Sequence, residues 1–327
     1  MPRNITISEG RELLLTRAQL RESGRSEREI RMLVATSGLV RVRRGWYVDG
    51  EAWRDLWNEG RHLLQVIATH LSSDLPGPVF MLSSAGVLRG LPLYRLAPKH
   101  VHVALGGASH SKTRFGVVHH DVQLARRDVD EVEGIRCTSL DRTVLDLACT
   151  MSEEAAVSCA DAALRRLAVV GHVQNEDLAD EWRLALGERA DQVSVRGIRR
   201  ARRVIEFADG RAQLPGESVS RLQLHRLGFR SVPLQTRVVG PNGEDYWLDF
   251  AFPSARRFGE FDGKRKYFDA DLRGGRSVGE AVLDEKYRED AVRGVTGWGF
   301  ARWGSEHIET AEQLGRRLRA FGIRPPG

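Results

Sequence analysis

The sequence predicts a protein of the α/β (α+β) class, built from three parts that follow one another along the chain. Three observations support this. The first fifty residues carry two helix signals followed by a short alternating stretch, and residues 60–208 switch between helical and extended patterns. The last third runs in the order helix, three strands, helix, strand. We therefore expect domains at 1–52, 60–208 and 214–327, which suits a chain of 327 residues.

The composition is that of an ordinary globular protein, with 41% hydrophobic and 29% charged residues. The most apolar run, Val79 to Leu91, is interrupted by Arg89 and is too short to span a bilayer. The first residues do not have the pattern of a secretory signal. We expect a cytoplasmic protein without a membrane partner.

The three cysteines, Cys137, Cys149 and Cys159, show no C-x-x-C spacing. Zinc sites and disulfide frameworks need regular spacings or even numbers of cysteines. Buried, reduced thiols are the expected state.

The charge balance favours an anionic partner. The net charge is +6, with 45 Arg against 5 Lys. An excess of basic residues gathered in particular segments is typical of proteins that bind polyanions, nucleic acid first. Whether nucleic acid is the partner has to be judged from the individual basic segments.

The N-terminal part carries two capping boxes. Thr16 is followed three residues later by Gln19, and Ser26 by Glu29. In such pairs each side chain accepts a hydrogen bond from a free backbone N–H of the first helical turn. Gly24 lies between them, where a helix end favours a left-handed residue. The pattern predicts helices at 17–22 and 27–36.

A short hairpin follows the second predicted helix. Residues 39–43 alternate Val with Arg, and Arg44-Gly45 turns the chain into Trp46-Tyr47-Val48. Helix, turn, helix and basic hairpin is the plan of a winged helix–turn–helix, whose second helix enters the DNA major groove. A helical protein-interaction module with a solvated basic face is the alternative. The predicted DNA contacts are Arg25, Arg28, Arg31, Arg41, Arg43 and Arg44.

This segment is similar to the N-terminal domain of AbiEi-type antitoxins, the partners in type IV toxin–antitoxin systems. The matching stretches are "LTRAQL", "GRSEREIRMLV" and "GLVRVRRGWYV". Stretches of the middle part, "SSAGVLRGL" and "TSLDRTVLDLA", are similar to the middle domain of the same family. The resemblance implies operator binding, autoregulation of transcription and a cognate toxin.

The middle part offers weaker candidates for function. His119-His120-Asp121 does not predict a metal site, because neighbours on a strand point to opposite faces. A nucleotidyltransferase-like activity on a toxin partner is a further alternative, although the Gly-Ser nucleotide-binding start it requires is absent.

The C-terminal part concentrates acids around the stretch "GEFDGKRKY", Gly259 to Tyr267. Two predicted strands flank Pro253 to Arg256, and a turn centred there places Asp249 directly opposite Glu260. Asp262 follows two residues later on the same face. Like charges opposite each other on paired strands repel, so a compensating cation is expected.

Mg²⁺ or Mn²⁺ would supply that cation, because it takes hard oxygen ligands. We expect Asp249, Glu260 and Asp262 as metal ligands, with Lys264 stabilising developing charge and Glu217 on the preceding helix as a further acid. Acid on helix, acid on strand and acid-x-Lys is the arrangement of PD-(D/E)xK nucleases. A hairpin that carries acids only for solubility is the alternative.

Residues 215–305 resemble a family of domains related to very-short-patch-repair (Vsr) endonucleases. The motifs are Glu217, "DFAFP", "EFDG", "EKYREDAVRGVTGW" and "ARW". The resemblance implies a restriction-endonuclease-like core. The chain departs from the family at Lys266, which replaces a histidine, and this places nuclease activity in question.

Two hypotheses of different class follow. The first is a DNA-binding protein with a Mg²⁺-dependent endonuclease domain that hydrolyses phosphodiester bonds. The second is a non-enzymatic antitoxin-type repressor that binds an operator.

Overall fold

A computed structural model describes residues 3–105, 112–114, 116–262 and 278–326. The described chain separates into two units, Met1–Thr150 and Met151–Gly327. The boundary falls inside the range 60–208 assigned to one middle domain, and the three-part division stays a prediction. The mixed helix and sheet content confirms the α+β class.

The first unit starts with a small three-stranded sheet surrounded by helices. Its elements are α1 (Ile7–Leu13), β1 (Leu15–Thr16), α2 (Arg17–Glu22), α3 (Glu27–Ala35), β2 (Leu39–Arg43), β3 (Trp46–Asp49) and α4 (Gly50–Arg54). The strand order is β1-β3-β2. Leu20, Ile30, Leu39 and Tyr47 form the core beneath it. Helix α3 therefore packs on the hairpin by its apolar face.

The predicted caps and turns of this region are confirmed. Both capping boxes form at the first turns of α2 and α3. Gly24 has a φ of +87° and Gly45 one of +86°, so both occupy the left-handed region that glycine tolerates. Helix α1 was not predicted, although Thr6 and Glu9 make a third capping box.

The rest of the first unit is a six-stranded mixed sheet with helices. Its elements are α5 (Asn58–Leu71), β4 (Val79–Phe80), α6 (Leu82–Leu88), β5 (Val101–Leu105), β6 (Lys112–Arg114), β7 (Val117–Asp121), β8 (Val129–Val132), β9 (Ile135–Thr138) and α7 (Leu140–Thr150). The strand order is β6-β7-β5-β4-β9-β8. Helix α5 packs against α6 and β5 and also against β2, so it joins this sheet to the hairpin.

The second unit starts with helices that surround a short hairpin. These elements are α8 (Glu153–Ala168), β10 (Val169–Val170), β11 (Val173–Gln174), α9 (Glu176–Asp191) and α10 (Ile198–Phe207). Helix α8 packs against α9 and α10.

A four-stranded sheet completes the second unit. Its elements are α11 (Pro215–Arg226), β12 (Leu234–Val239), β13 (Asp245–Phe252), β14 (Arg257–Phe261), α12 (Val278–Thr296), β15 (Gly299–Trp303) and α13 (Ala311–Arg319). The order α-β-β-β-α-β is the one predicted from the sequence, and α13 was not predicted. The strands lie in the order β12-β13-β14-β15, and β14 pairs with β15 in parallel.

The register between β13 and β14 is the predicted one. Phe250 pairs with Gly259 and Phe252 with Arg257 across a short 3₁₀ turn. Extending this register by one residue pair places Asp249 beside Glu260, on the opposite face of the sheet from Phe250. The three cysteines are reduced thiols that form no disulfide among the described residues. Across the described residues, no helix combines the length and apolar character needed to cross a membrane.

Candidate functional site

The acids predicted for the C-terminal site lie on α11, β13 and β14. Glu217 is 2% exposed, Asp249 8% and Glu260 3%. Burying three ionisable carboxylates is costly unless hydrogen bonds or cations compensate them. Their partners therefore determine what this region can do.

Asp249 is held by two hydrogen bonds from neighbouring strands. Its Oδ2 accepts one from the backbone N–H of Phe261 at 3.0 Å, and its Oδ1 accepts one from Gln235 Nε2 at 3.4 Å. Gln235 is a non-glycine residue with a φ of +45°. Left-handed backbone of this kind costs energy for an L residue, and such strain is often found at functional sites.

A chain of polar side chains leads from Asp249 toward Glu217. Gln235 Oε1 lies 2.9 Å from His172 Nδ1 and 3.1 Å from Gln213 Nε2. The backbone N–H of Gln213 donates to Glu217 Oε2 at 2.7 Å. Gln235 and Gln213 thus connect the two acids, and His172 contacts both glutamines.

His172 is further fixed by an aromatic contact. Its ring stacks on Trp247 of β13, with centroids 4.6 Å apart and planes inclined by 6°. Nδ1 also lies 2.8 Å from Gln213 Nε2, an amide nitrogen that can only donate, so an unprotonated Nδ1 accepts from Gln213, whereas a protonated Nδ1 donates to Gln235 Oε1. His172 therefore has a set orientation beside the two glutamines.

Arginines compensate the acids on the other side. Arg288 of α12 lies 3.2 Å from Glu260 Oε2 and 2.7 Å from Glu285 Oε1. Arg302 of β15 lies 3.6 Å from Asp262 Oδ2 and also pairs with Glu285. The acid cluster is thus part of an alternating network of carboxylates and guanidiniums.

The network shifts the ionisation of its members. Burial disfavours the charged form of Arg288, but its hydrogen bonds to Glu285 and the charge of Glu260 outweigh burial and raise the Arg288 pKa. Burial likewise opposes ionisation of Glu285, yet Arg288 and Arg302 lower its pKa. Arg288 and Glu285 are therefore both held in their charged forms.

Asp262 lies just beyond the end of β14. Its backbone N–H donates to the carbonyl oxygen of Trp303 at 2.8 Å, so the β14–β15 pairing continues by one bond. Lys264, the predicted assisting cation, and Lys266 lie outside the described residues. In the part of the chain that the structure describes, no three His, Cys, Asp or Glu residues are grouped to hold a metal ion.

The predicted DNA-contact residues lie around α3 and the hairpin. Arg25, Arg28 and Arg31 are exposed, as are Arg41 and Arg44, while Arg43 is half-buried. Arg31 Nε donates to the backbone carbonyl oxygen of Glu27 at 3.3 Å. None of the six lies within salt-bridge distance of a carboxylate of the described chain, and all except Arg43 are exposed to solvent.

The comparisons with known proteins leave the family open. No family model matches the chain. The chain is 27% identical over 238 residues to the uncharacterised protein Rv2248 of Mycobacterium tuberculosis strain H37Rv, a match that covers 72% of this chain and 78% of the relative. The uncharacterised protein MT2308 of strain CDC 1551 of the same species shows the same identity and coverage.

Several residues of the site were not predicted from the sequence. The sequence motifs of residues 215–305 contain Arg288 and Arg302 but do not predict their ion pairs. The sequence gives no signal for the contacts of His172, Gln213 and Gln235. The parallel pairing of Glu260 with Arg302 joins distant parts of the chain. One local signal existed for α12, where Glu285, Arg288 and Glu289 have helical spacing for ion pairs.

Proposed function

We propose that the protein binds duplex DNA through α2, α3 and the β2–β3 hairpin of its first unit. The observation that carries this proposal is the set of exposed arginines on α3 and the hairpin that lack a carboxylate partner in the described chain. Arginines that are not neutralised within the protein are available to displace counterions from phosphate. Helix α3 is the element that a winged helix–turn–helix places in the major groove.

This proposal is tested by the salt dependence of DNA binding. A labelled duplex is titrated with wild type, Arg31→Gln and Arg54→Gln at several salt concentrations. Arg54 is an exposed arginine of α4 and matches the charge change. We expect Arg31→Gln to reduce the slope of log affinity against log salt by about 1, with no change for Arg54→Gln. An equal loss in both variants would mean that only net charge matters.

For the second unit we propose nuclease-type hydrolysis of phosphodiester bonds. The specific observation in favour is the register that sets the buried Asp249 and Glu260 side by side. The two carboxylates are ligands of the type that Mg²⁺ prefers, since that ion is usually bound by one or two carboxylates, water and substrate phosphate. Asp249 and Glu260 would hold it, and it would supply an activated water and charge stabilisation at phosphate.

The chain's own residues would position these groups. Gln235 and the Phe261 N–H orient the Asp249 carboxylate. The Arg288 guanidinium, 3.2 Å from Glu260 Oε2, would stabilise the negative charge of that carboxylate. Asp262 and Lys264 remain proposed contributors.

A non-enzymatic regulator is the competing proposal, and a different observation favours it. Arg288 and Arg302 already compensate Glu260 and Asp262 without a metal ion. In this alternative the second unit is a scaffold, and operator binding by the first unit is the function. A cognate toxin is the partner that this alternative proposes.

Plasmid nicking separates the two. Supercoiled plasmid is incubated with Mg²⁺ or Mn²⁺ and wild type, Asp249→Asn or Asp245→Asn, the last being a partly exposed acid of the same strand. Nicking that only Asp249→Asn abolishes supports the nuclease, as does a Mn²⁺-dependent rise in Tm lost in the same variant. No nicking by wild type, with the duplex still bound, supports the regulator.

A further inference from the structure

A pocket of about 490 Å³ lies in the first unit between the hairpin and α5. The described residues that line it include four basic side chains and no acidic one; the basic residues are Arg41, Arg43, Arg44 and Lys99. Gln65 and Thr69 of α5 add an amide and a hydroxyl. The pocket therefore combines hydrogen-bond donors with positive charge.

Arg43 is the central group of this pocket. It is half-buried, and its Nη1 donates to Thr69 Oγ1 at 3.3 Å. Thr69 Oγ1 in turn donates to the carbonyl oxygen of Gln65 at 2.7 Å, so the hydroxyl is set to accept from Arg43. A guanidinium has five N–H donors, and no carboxylate of the described chain pairs with this one. Burial lowers the Arg43 pKa, as expected for a cation removed from water without a counter-charge.

The pocket wall is fixed by a second contact between hairpin and helix. Trp46 Nε1 donates to Ser72 Oγ at 2.9 Å, and Ser72 Oγ donates to the carbonyl oxygen of Ala68 at 2.7 Å. These bonds hold the start of β3 against the C-terminal end of α5. Together with its bond to Thr69 they position Arg43 before any ligand arrives, which lowers the entropy cost of binding.

We infer that this pocket binds a phosphate group carried by a small molecule such as a nucleotide. Phosphate matches the planar fork of arginine and the adjacent hydroxyl and amide donors. The volume falls within the roughly 300–1,000 Å³ of small-molecule sites. A phosphate of the DNA backbone is the other source of the same chemistry. The half-buried position of Arg43 favours the small ligand, because backbone phosphates meet exposed side chains more readily.

The test is isothermal titration of the full chain with sodium pyrophosphate and with adenosine monophosphate at constant ionic strength. Wild type is compared with Arg43→Gln, Thr69→Val and the control Arg54→Gln, an exposed arginine of α4 outside the pocket. We expect saturable binding by wild type and about tenfold weaker binding by Arg43→Gln, the loss of one charge-assisted hydrogen bond. Thr69→Val weakens it less, and Arg54→Gln leaves it unchanged. Circular dichroism and Tm establish that each variant folds.

Two results overturn the inference. One is the absence of saturable heat with either probe at millimolar concentration. The other is an equal loss in Arg43→Gln and Arg54→Gln. If neither probe binds but Arg43→Gln weakens duplex binding, the phosphate source is DNA. Pyrophosphate binding without any duplex binding would support the phosphate pocket and contradict the proposed DNA binding. The failure of one proposal can therefore be distinguished from the failure of the other.

Discussion

The acid network of the second unit and the hairpin pocket of the first unit treat buried and half-buried charge in opposite ways. In the second unit Glu260 meets Arg288, and Glu285 meets both Arg288 and Arg302. In the first unit Arg43 is half-buried beside a threonine hydroxyl, with no carboxylate of the described chain at salt-bridge distance. A buried charge with an oppositely charged partner inside the protein stabilises the fold. A half-buried charge without such a partner is available to bind a counter-ion from outside the protein.

The largest expected effect comes from removing a guanidinium of the second unit. Arg288→Met leaves the Glu260 carboxylate buried with less compensation, and breaking a buried pair this way typically costs about 3–5 kcal/mol. Urea denaturation measures the free energy of unfolding. The control Arg293→Met removes an exposed arginine of the same helix, whose ion pairs are worth about 0–1 kcal/mol. An equal loss of unfolding free energy in both variants would contradict the special role of the buried Glu260–Arg288 pair.

A smaller effect is expected in the pH dependence of stability. The Glu285 pKa lies below its usual value near 4.5 because Arg288 and Arg302 outweigh the effect of burial. A depressed folded-state pKa stabilises the fold above the unfolded value, and this contribution is lost as pH falls through the folded value. We expect Glu285→Gln to lose less stability than wild type on acidification below about pH 4.5. Acid titration followed by circular dichroism checks this.

The matched control for that titration is Asp290→Asn, an exposed acid of the same helix. Its acid-unfolding curve should keep the steepness of wild type. A curve for Glu285→Gln as steep as that of wild type would contradict a stabilising role of the ionised Glu285 in the network.

The smallest effect is expected for the half-buried arginine of the first unit. Arg43→Met leaves no buried carboxylate behind and loses one hydrogen bond to Thr69, so the free energy of unfolding should change by less than about 1 kcal/mol. Urea denaturation in low salt measures it. A loss as large as that of Arg288→Met would show that Arg43 has an internal structural role, and the contrast between the units would fail.

Local signals of the sequence predicted much of the fold. Thr16 with Gln19 and Ser26 with Glu29 place both helix starts, because capping depends on residues three apart. The turn at Pro253 predicted the register of Asp249, since pairing on a tight hairpin follows from the turn alone. These features need no knowledge of distant residues.

The environment of the acids could not be predicted in the same way. Arg302 reaches Glu285 and Asp262 only because β14 and β15 pair in parallel across a long connection. His172 reaches Gln235 through the turn between β10 and β11, far away in sequence. Contacts of this kind depend on tertiary packing, for which a single sequence carries no periodic signal.

The left-handed backbone of Gln235 has a consequence for how this protein can change. Glycine at that position would relieve strain of about 1–3 kcal/mol. The same substitution would remove the amide that donates to Asp249 and lies beside His172. Selection for a more stable chain and selection for an ordered acid site therefore act in opposite directions on this one residue.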